Sequence, residues 1–193
     1  MEVTLSICLG LGLSAACGFR IFVPLLVMGV AARAGHLDLA GDFQWIGSDA
    51  ALVMLGIATA CEVAAYYVPW FDNFLDTLAT PTAVVAGIVA TAASVQGTSE
   101  LLGWAVAVIG GGGAAAVVQV GTTALRGASS VMTAGFGNPV LSTVEAGGAF
   151  GLSVLAIVVP VLAVALLASL LLVLAVRTAQ RRGQIVADER PAA

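Results

Sequence analysis

The residues best suited to chemistry are acidic side chains in or beside strongly apolar stretches of the chain. Asp72 and Asp76 are four residues apart and Thr80 follows at the same interval, so a helix would place them on one face. With Asn73 beside them, they offer the oxygen ligands that Na⁺, Mg²⁺ and Ca²⁺ prefer. The segment is predicted to form a cation or proton site. The alternative is a membrane-surface loop whose aspartates cap helices or face water.

Two further acids, Glu62 and Glu145, lie inside apolar runs. Ionisable groups at hydrocarbon depth are costly and usually face a partner, a cavity or an ion pathway. Arg20 and Arg126 are the candidate counter-charges, and static ion pairing and a role in transport both fit this pattern. When Asp72 and Asp76 are counted with these four residues, two positive charges stand against four negative charges. This net acidity favours binding of a cation or protons over binding of an anion.

Arg20 also permits a different interpretation, because it lies beside a predicted break in a helix. Arginine matches phosphate oxygens bidentately. A lipid or polyprenyl-phosphate headgroup at Arg20 is therefore an alternative ligand.

Composition excludes an ordinary soluble protein. The 193 residues are 60% hydrophobic and only 9% charged, with a mean hydropathy of +1.08, whereas soluble domains carry roughly 25% charged residues. The single histidine, His36, and three unpaired cysteines form no catalytic or metal-binding pattern. We expect no enzyme activity and no cofactor, the identity of any metal stays open, and no basic patch indicates nucleic-acid binding.

The apolar runs predict an all-α polytopic membrane protein with about six transmembrane helices, some of them broken. The first run would break between Gly18 and Pro24, and the last between Pro139 and Val176 near Pro160. Thr80-Pro81 and Asn138-Pro139 are interpreted as N-cap and first-turn pairs. The six predicted spans are Val3–Ala32, Ala50–Val68, Pro81–Val95, Leu101–Leu125, Pro139 to about Pro160, and Pro160–Val176.

Residues 1–176 are expected to form a single transmembrane domain, and residues 177–193 a polar, disordered cytoplasmic tail. Four of the seven arginines follow Val176, which predicts a cytoplasmic C-terminus in the inner (plasma) membrane. With six spans the N-terminus is also inside, the 33–49 loop is outside, and a connection at 126–137 is inside. The glycine run at 110–113 predicts close helix packing, and the glycine-rich spans make a homo-oligomer reasonable.

The two halves of the chain share a weak pattern in which an arginine is followed by a hydroxyl residue and, three positions later, a glutamate. The matching residues are Arg20, Thr59 and Glu62 in the first half, and Arg126, Ser142 and Glu145 in the second. Three spans per half would make this a 3+3 inverted repeat, a common transporter plan. Chance is the competing explanation.

Several short motifs resemble one known family. They are Gly18-Phe19-Arg20, Pro24-Leu25-Leu26, Ala65 to Asn73, Leu75-Asp76-Thr77, Ala79-Thr80-Pro81, Gly111-Gly112-Gly113 and Gly137-Asn138-Pro139. The family is a small bacterial integral membrane family defined as a domain of unknown function, number 4126 in that series. The resemblance extends to Val176 and implies membrane location, but no activity.

The functional expectation is a small transporter or channel-like protein for a small cation or protons, with an acidic intramembrane site. Its predicted site residues are Glu62, Asp72, Asn73, Asp76, Thr80, Asn138 and Glu145, with Arg20 and Arg126 as counter-charges. Its partners would be the lipid bilayer and the transported ion. The alternatives are a non-transporting membrane scaffold with static buried ion pairs and the lipid-phosphate handling protein.

Overall fold

The computed structural model describes residues 2–65, 69–133, 136–169, 172, 173 and 176, with the backbone alone for residues 69–77. Every regular element in this part is helical, which confirms the predicted all-α class. The helices are α1 (Val3–Cys17), α2 (Phe22–Arg33), a 3₁₀ helix (Gly41–Gly47), α3 (Asp49–Ala65), α4 (Pro69–Ser94), α5 (Glu100–Thr133), α6 (Asn138–Val158) and α7 (Pro160–Ser169). The predicted tail, residues 177–193, lies outside the described residues.

The first apolar run breaks where it was predicted to break. Helix α1 ends at Cys17 and α2 begins at Phe22, so residues 18–21 form the connection. Pro24 is the third residue of α2, where the missing N–H costs little because first-turn N–H groups have no partner within the helix. The proline therefore starts the second helix and does not interrupt one long helix.

The chain reverses its direction between α1 and α2. The side chain of Gln96 donates to the carbonyl of Asp38 (2.6 Å), and its backbone N–H donates to Ser6 Oγ (3.4 Å). If α2 continued along the axis of α1, Arg33 would lie roughly 40 Å from Ser6. The five residue steps from Arg33 to Asp38 span at most about 18 Å. Helices α1 and α2 therefore form a hairpin whose two open ends lie together.

This hairpin corrects the predicted orientation of the first segment. We expected the N-terminus and the 33–49 loop at opposite membrane surfaces, because Val3–Ala32 was taken as one crossing. The hydrogen bonds to Gln96 and the bond from Ala40 N–H to the Ala93 carbonyl (2.8 Å) place both at one end of the molecule. The sequence showed where the helix breaks but not the angle at the break.

Helix α4 contradicts the predicted start at Thr80-Pro81. It runs without interruption from Pro69 to Ser94, so Pro81 is internal and Thr80 is a half-buried residue of the helix, not its cap. Ala79 and Ala83 on either side of the proline are both buried. Packing of these alanines into the core holds the two sides of the proline in one helix, and neighbouring groups in such apolar bundles re-satisfy the freed backbone.

Helix α5 is longer than predicted and also contradicts the expected connection at 126–137. It continues to Thr133 through a wider π-helical turn at Val106–Gly111, so Arg126 lies within a helix and is 3% exposed. A Cβ added to Gly87 of α4 would lie 2.9 Å from the Gly111 carbonyl oxygen. The glycine run is thus confirmed as a site of close helix packing.

The last apolar run is divided as predicted. Helix α6 ends at Val158, Val159 has non-helical angles (φ −139°, ψ 74°), and a helix resumes at Pro160. At its start, Asn138 is already the first helical residue and Gly137 precedes it as the cap, so the boundary differs by one residue from the predicted cap at Asn138.

The predicted count of six spans is not confirmed. Within the described residues, the helices Glu100–Thr133 and Asn138–Val158 are each long and apolar enough to cross a membrane. The 3₁₀ helix and α3, which meet at a 64° bend, would add a third span if they form one broken crossing. The inverted repeat is not confirmed either, because Arg20 lies between two helices whereas Arg126 lies inside one.

Candidate functional site

Arg20 lies in the hairpin turn and is only 1% exposed. Its guanidinium Nη2 donates to the carbonyl of Ser142 (3.0 Å) and to the Ser142 hydroxyl, and lies 3.4 Å from Glu145 Oε2. Ser142 and Glu145 are three residues apart on α6, so they share one face of that helix. The turn between α1 and α2 is thereby fixed to α6.

The same turn is seated on α5 through Gly18. A Cβ at this position would lie 2.6 Å from the Ala115 carbonyl oxygen and 2.6 Å from Val118 Cβ, so only glycine fits without movement. The hydroxyl of Thr122 donates to the Gly18 carbonyl (3.4 Å) as well as to Gln119 of its own helix (2.9 Å). Close backbone approach therefore brings the turn, and Arg20 with it, against the middle of α5.

Arg126 and Glu145 form a bidentate ion pair between α5 and α6. Arg126 Nε donates to Glu145 Oε1 (3.1 Å), and Arg126 Nη2 pairs with Glu145 Oε2. Both residues are 3% exposed. Glu145 thus lies between two guanidinium groups, one from the hairpin turn and one from α5, and links three segments of the chain.

Glu62 joins the turn from α3 and makes a different kind of contact. Its two carboxylate oxygens accept hydrogen bonds from the backbone N–H groups of Ile21 (2.7 Å) and Phe22 (3.0 Å), at the start of α2. These N–H groups have no partner within the helix, and the helix N-terminus carries partial positive charge. Glu62 therefore caps α2 from another helix, and both Arg20 and Arg126 act on it electrostatically.

The structure thus brings together four of the nine residues singled out from the sequence. We call Arg20, Glu62, Arg126 and Glu145 the charged cluster. Its formal charges balance, two positive against two negative. The net acidity predicted for the site depended on Asp72 and Asp76, whose side chains, like that of Asn73, lie outside the described residues.

Two other predicted site residues are placed away from these contacts. Thr80 is a half-buried residue in the interior of α4. The side-chain amide of Asn138 donates to the Ser130 hydroxyl (2.9 Å), which joins the start of α6 to the end of α5. Among the described residues, no group of three or more His, Cys, Asp or Glu side chains could hold a metal ion.

Sequence reasoning missed two kinds of contributor. Ser142 was noted only as part of a repeat, although its three-residue spacing from Glu145 already places both on one helical face. The backbone N–H groups of Ile21 and Phe22 cannot be recognised as donors from the types of their side chains. What could have indicated them is the break itself, because a helix that starts inside an apolar run must find acceptors for its first N–H groups.

Comparison with known proteins gives one match. No curated protein and no solved structure matches the chain. A family model described as Domain of unknown function (DUF4126) matches residues 7–181, which include the whole charged cluster. This confirms the resemblance inferred from the sequence motifs, and the chain belongs to the DUF4126 family.

Proposed function

We propose that this protein is a small membrane transporter or channel-like protein that moves protons or a small cation, and that the charged cluster is part of its site. The main observation in favour of this proposal is that four separate segments bring Arg20, Glu62, Arg126 and Glu145 together. Buried charges inside apolar helices are costly, and they commonly mark ion and proton pathways.

The hairpin of α1 and α2 supports the same proposal. At 1.5 Å per residue its helices are about 22 Å and about 18 Å long, shorter than the roughly 30 Å hydrocarbon core. In a bilayer the hairpin would enter and leave at the same surface, with its turn near the midplane. Broken helices whose ends meet charged groups at this depth are a recurrent feature of transporters.

The two glutamates of the cluster are suited to different roles. Glu145 contacts two guanidinium groups, so loss of its charge would remove a counter-charge from two buried cations. Glu62 is held by neutral backbone donors, and loss of its charge breaks no direct ion pair among the described residues. We therefore assign the exchangeable role to Glu62 and a holding role to Glu145.

The test is a flux measurement on purified protein reconstituted in vesicles, with a pH-sensitive dye for protons and parallel assays for Na⁺ and K⁺. Glu62→Gln is expected to reduce the flux to that of empty vesicles. Glu100→Gln is the matched control, because Glu100 is an exposed first-turn residue of α5 and should leave the flux unchanged. Flux of the unmodified protein no higher than empty vesicles for every ion would overturn the proposal.

A second candidate, a non-transporting scaffold, is favoured by one observation. Both oxygens of Glu62 and both oxygens of Glu145 are engaged by partners, as expected for static polar contacts. If the protein is a scaffold, Glu62→Gln would lower the thermal stability, and neither the unmodified protein nor the variant would show flux above that of empty vesicles. The third alternative, phosphate binding at Arg20, has less support because its guanidinium is buried against Ser142 and Glu145.

A further inference from the structure

A long apolar groove runs beside the charged cluster, between α2 and α6, with one residue of α3, Thr59, in its lining. Its volume is about 640 Å³. Of the described residues that line it, His36 and Thr59 have polar side chains, and the apolar lining includes Val23, Val27, Ala146 and Val154. Helix α3 packs mainly against α2 and the 3₁₀ helix.

The length of the groove matches one leaflet of a bilayer. Its lining along α2 extends from Val23, beside the hairpin turn, to Ala34 at the opposite end of that helix. This distance is about 16 Å at 1.5 Å per residue. Half of a hydrocarbon core of roughly 30 Å is about 15 Å. A groove that begins at a helix end and stops at half depth fits a single acyl chain of one leaflet.

The outer end of the groove carries charges of both signs, as does the zwitterionic headgroup of phosphatidylethanolamine. His36 lines the groove at this end and Arg33 lies three residues before it, while Asp38, Asp42 and Asp49 are the acidic residues of the segment from Arg33 to Asp49. Arg33 is 54% exposed in its side chain and pairs with the still more exposed Asp49 (2.7 Å). An exposed pair of this kind contributes little, so the guanidinium can exchange Asp49 for a phosphate, which it binds well.

We infer that this groove binds one phospholipid, with an acyl chain between α2 and α6 and the phosphate at Arg33 and His36. The lipid would fill the space between these two helices beside Thr59 of α3. Its site is separate from the charged cluster, and the inference does not depend on transport.

The test uses the full chain in nanodiscs of phosphatidylethanolamine and phosphatidylglycerol. A small fraction of phosphatidylethanolamine carries a diazirine near the end of one acyl chain. After irradiation, peptide mass spectrometry is expected to find adducts concentrated around Val23 and Ala146, at the deep end of the groove. Val154→Trp, which fills the groove, should lower these adducts about tenfold.

Val131→Trp is the matched control, because Val131 is 87% exposed on α5 and lies away from the groove. It should leave the adducts at Val23 and Ala146 unchanged. Should Val154→Trp fail to fold, Ala31→Phe fills the same groove from α2. Arg33→Gln should lower the adducts less than the groove-filling variants, since it removes headgroup contacts only.

Two outcomes would overturn the inference. Adducts spread evenly over all exposed apolar faces would mean that only bulk lipid contacts the protein. Disulfide-linked dimers formed on oxidation of Val27→Cys or Val154→Cys, but not of the unmodified protein, would mean that a second copy of the chain, not a lipid, covers the groove.

Discussion

Helix α1 and the hairpin turn that follows it are held in the molecule by different physical means. Helix α1 crosses α4 and the π-helical turn of α5 through small residues, with Ser14 and Gly87 among the contacts. The hairpin turn is held by the charged cluster as well as by the close fit of Gly18 on α5. The crossing of α1 and α4 is held by shape, and neither Ser14 nor Gly87 is ionisable, whereas the turn also depends on charge. Under the proposed function, a proton or cation would therefore act on the turn and not on the crossing.

This difference also indicates which parts of the protein can move. A crossing of glycines and alanines has one close-packed arrangement, because backbone atoms limit the approach. The turn is linked to α3 by the two hydrogen bonds of Glu62, and α3 packs mainly on α2 and the 3₁₀ helix. If Glu62 releases the start of α2, what still holds α3 among the described residues is mainly its packing on α2 and the 3₁₀ helix.

Glu145→Gln should reduce stability more than Gly87→Ala or Ser14→Ala. Glutamine keeps the shape of the side chain but removes the negative charge between Arg20 and Arg126. Removing one partner of a buried ion pair lowers the free energy of unfolding by about 3–5 kcal/mol. The measurement is the unfolding free energy in detergent, with Glu100→Gln as the exposed control.

The double variant Arg126→Gln, Glu145→Gln sharpens this prediction, because it removes both charges of the bidentate pair. The double variant should be more stable than Glu145→Gln alone, because the guanidinium of Arg126 is no longer buried without the carboxylate that it pairs with. If Glu145→Gln unfolds like the unmodified protein, the charged cluster does not hold the turn, and the contrast between the crossing and the turn fails.

Gly87→Ala should have the next largest effect, and it tests the crossing that is held by shape. The added Cβ would lie 2.6 Å from Ala115 Cβ and 2.9 Å from the Gly111 carbonyl oxygen. Backbone cannot move aside as a flexible side chain can, so overpacking of about 1–3 kcal/mol is expected. The thermal midpoint of the detergent-solubilised protein measures it.

Gly121→Ala is the matched control, since nothing lies within 4 Å of a Cβ at that helical position. Alanine is the better helix former, so this control should be neutral or stabilising by up to about 1 kcal/mol. Equal destabilisation by both alanines would show that the close approach at Gly87 has no energetic consequence.

Much of the fold could be predicted from the sequence where one residue type decides the local structure. The breaks at Gly18–Pro24 and at Pro160 followed from proline chemistry and chain length. Pro81 shows the limit, because Ala79 and Ala83 pack on both sides of it and tertiary contacts overrule the local preference. Arg126 shows another limit: it was predicted as a counter-charge, but the connection expected at 126–137 placed it at the end of a helix, whereas it lies inside α5.

The sequence singled out the four residues of the charged cluster, together with five others, but not how the four pair. Buried charges must find partners, so Arg20, Glu62, Arg126 and Glu145 could be selected from the sequence alone. Which arginine meets which glutamate depends on the reversal between α1 and α2, and a turn of four residues does not encode that angle. The backbone donors that hold Glu62 follow from the same reversal.

Ser14→Ala should have the smallest effect, even though Ser14 is fully buried and its hydroxyl contacts both Gly87 O (2.6 Å) and Thr91 Oγ1 (2.6 Å). The Gly87 carbonyl is four residues before Thr91 in α4, so the Thr91 hydroxyl can turn to it when Ser14 is gone. Interhelical hydrogen bonds in membrane proteins average about 0.6 kcal/mol, and a loss of this size in unfolding free energy is expected. Ser153→Ala, which removes a bond within α6, is the control. A loss as large as that for Glu145→Gln would mean that hydroxyl groups, not shape, hold the crossing.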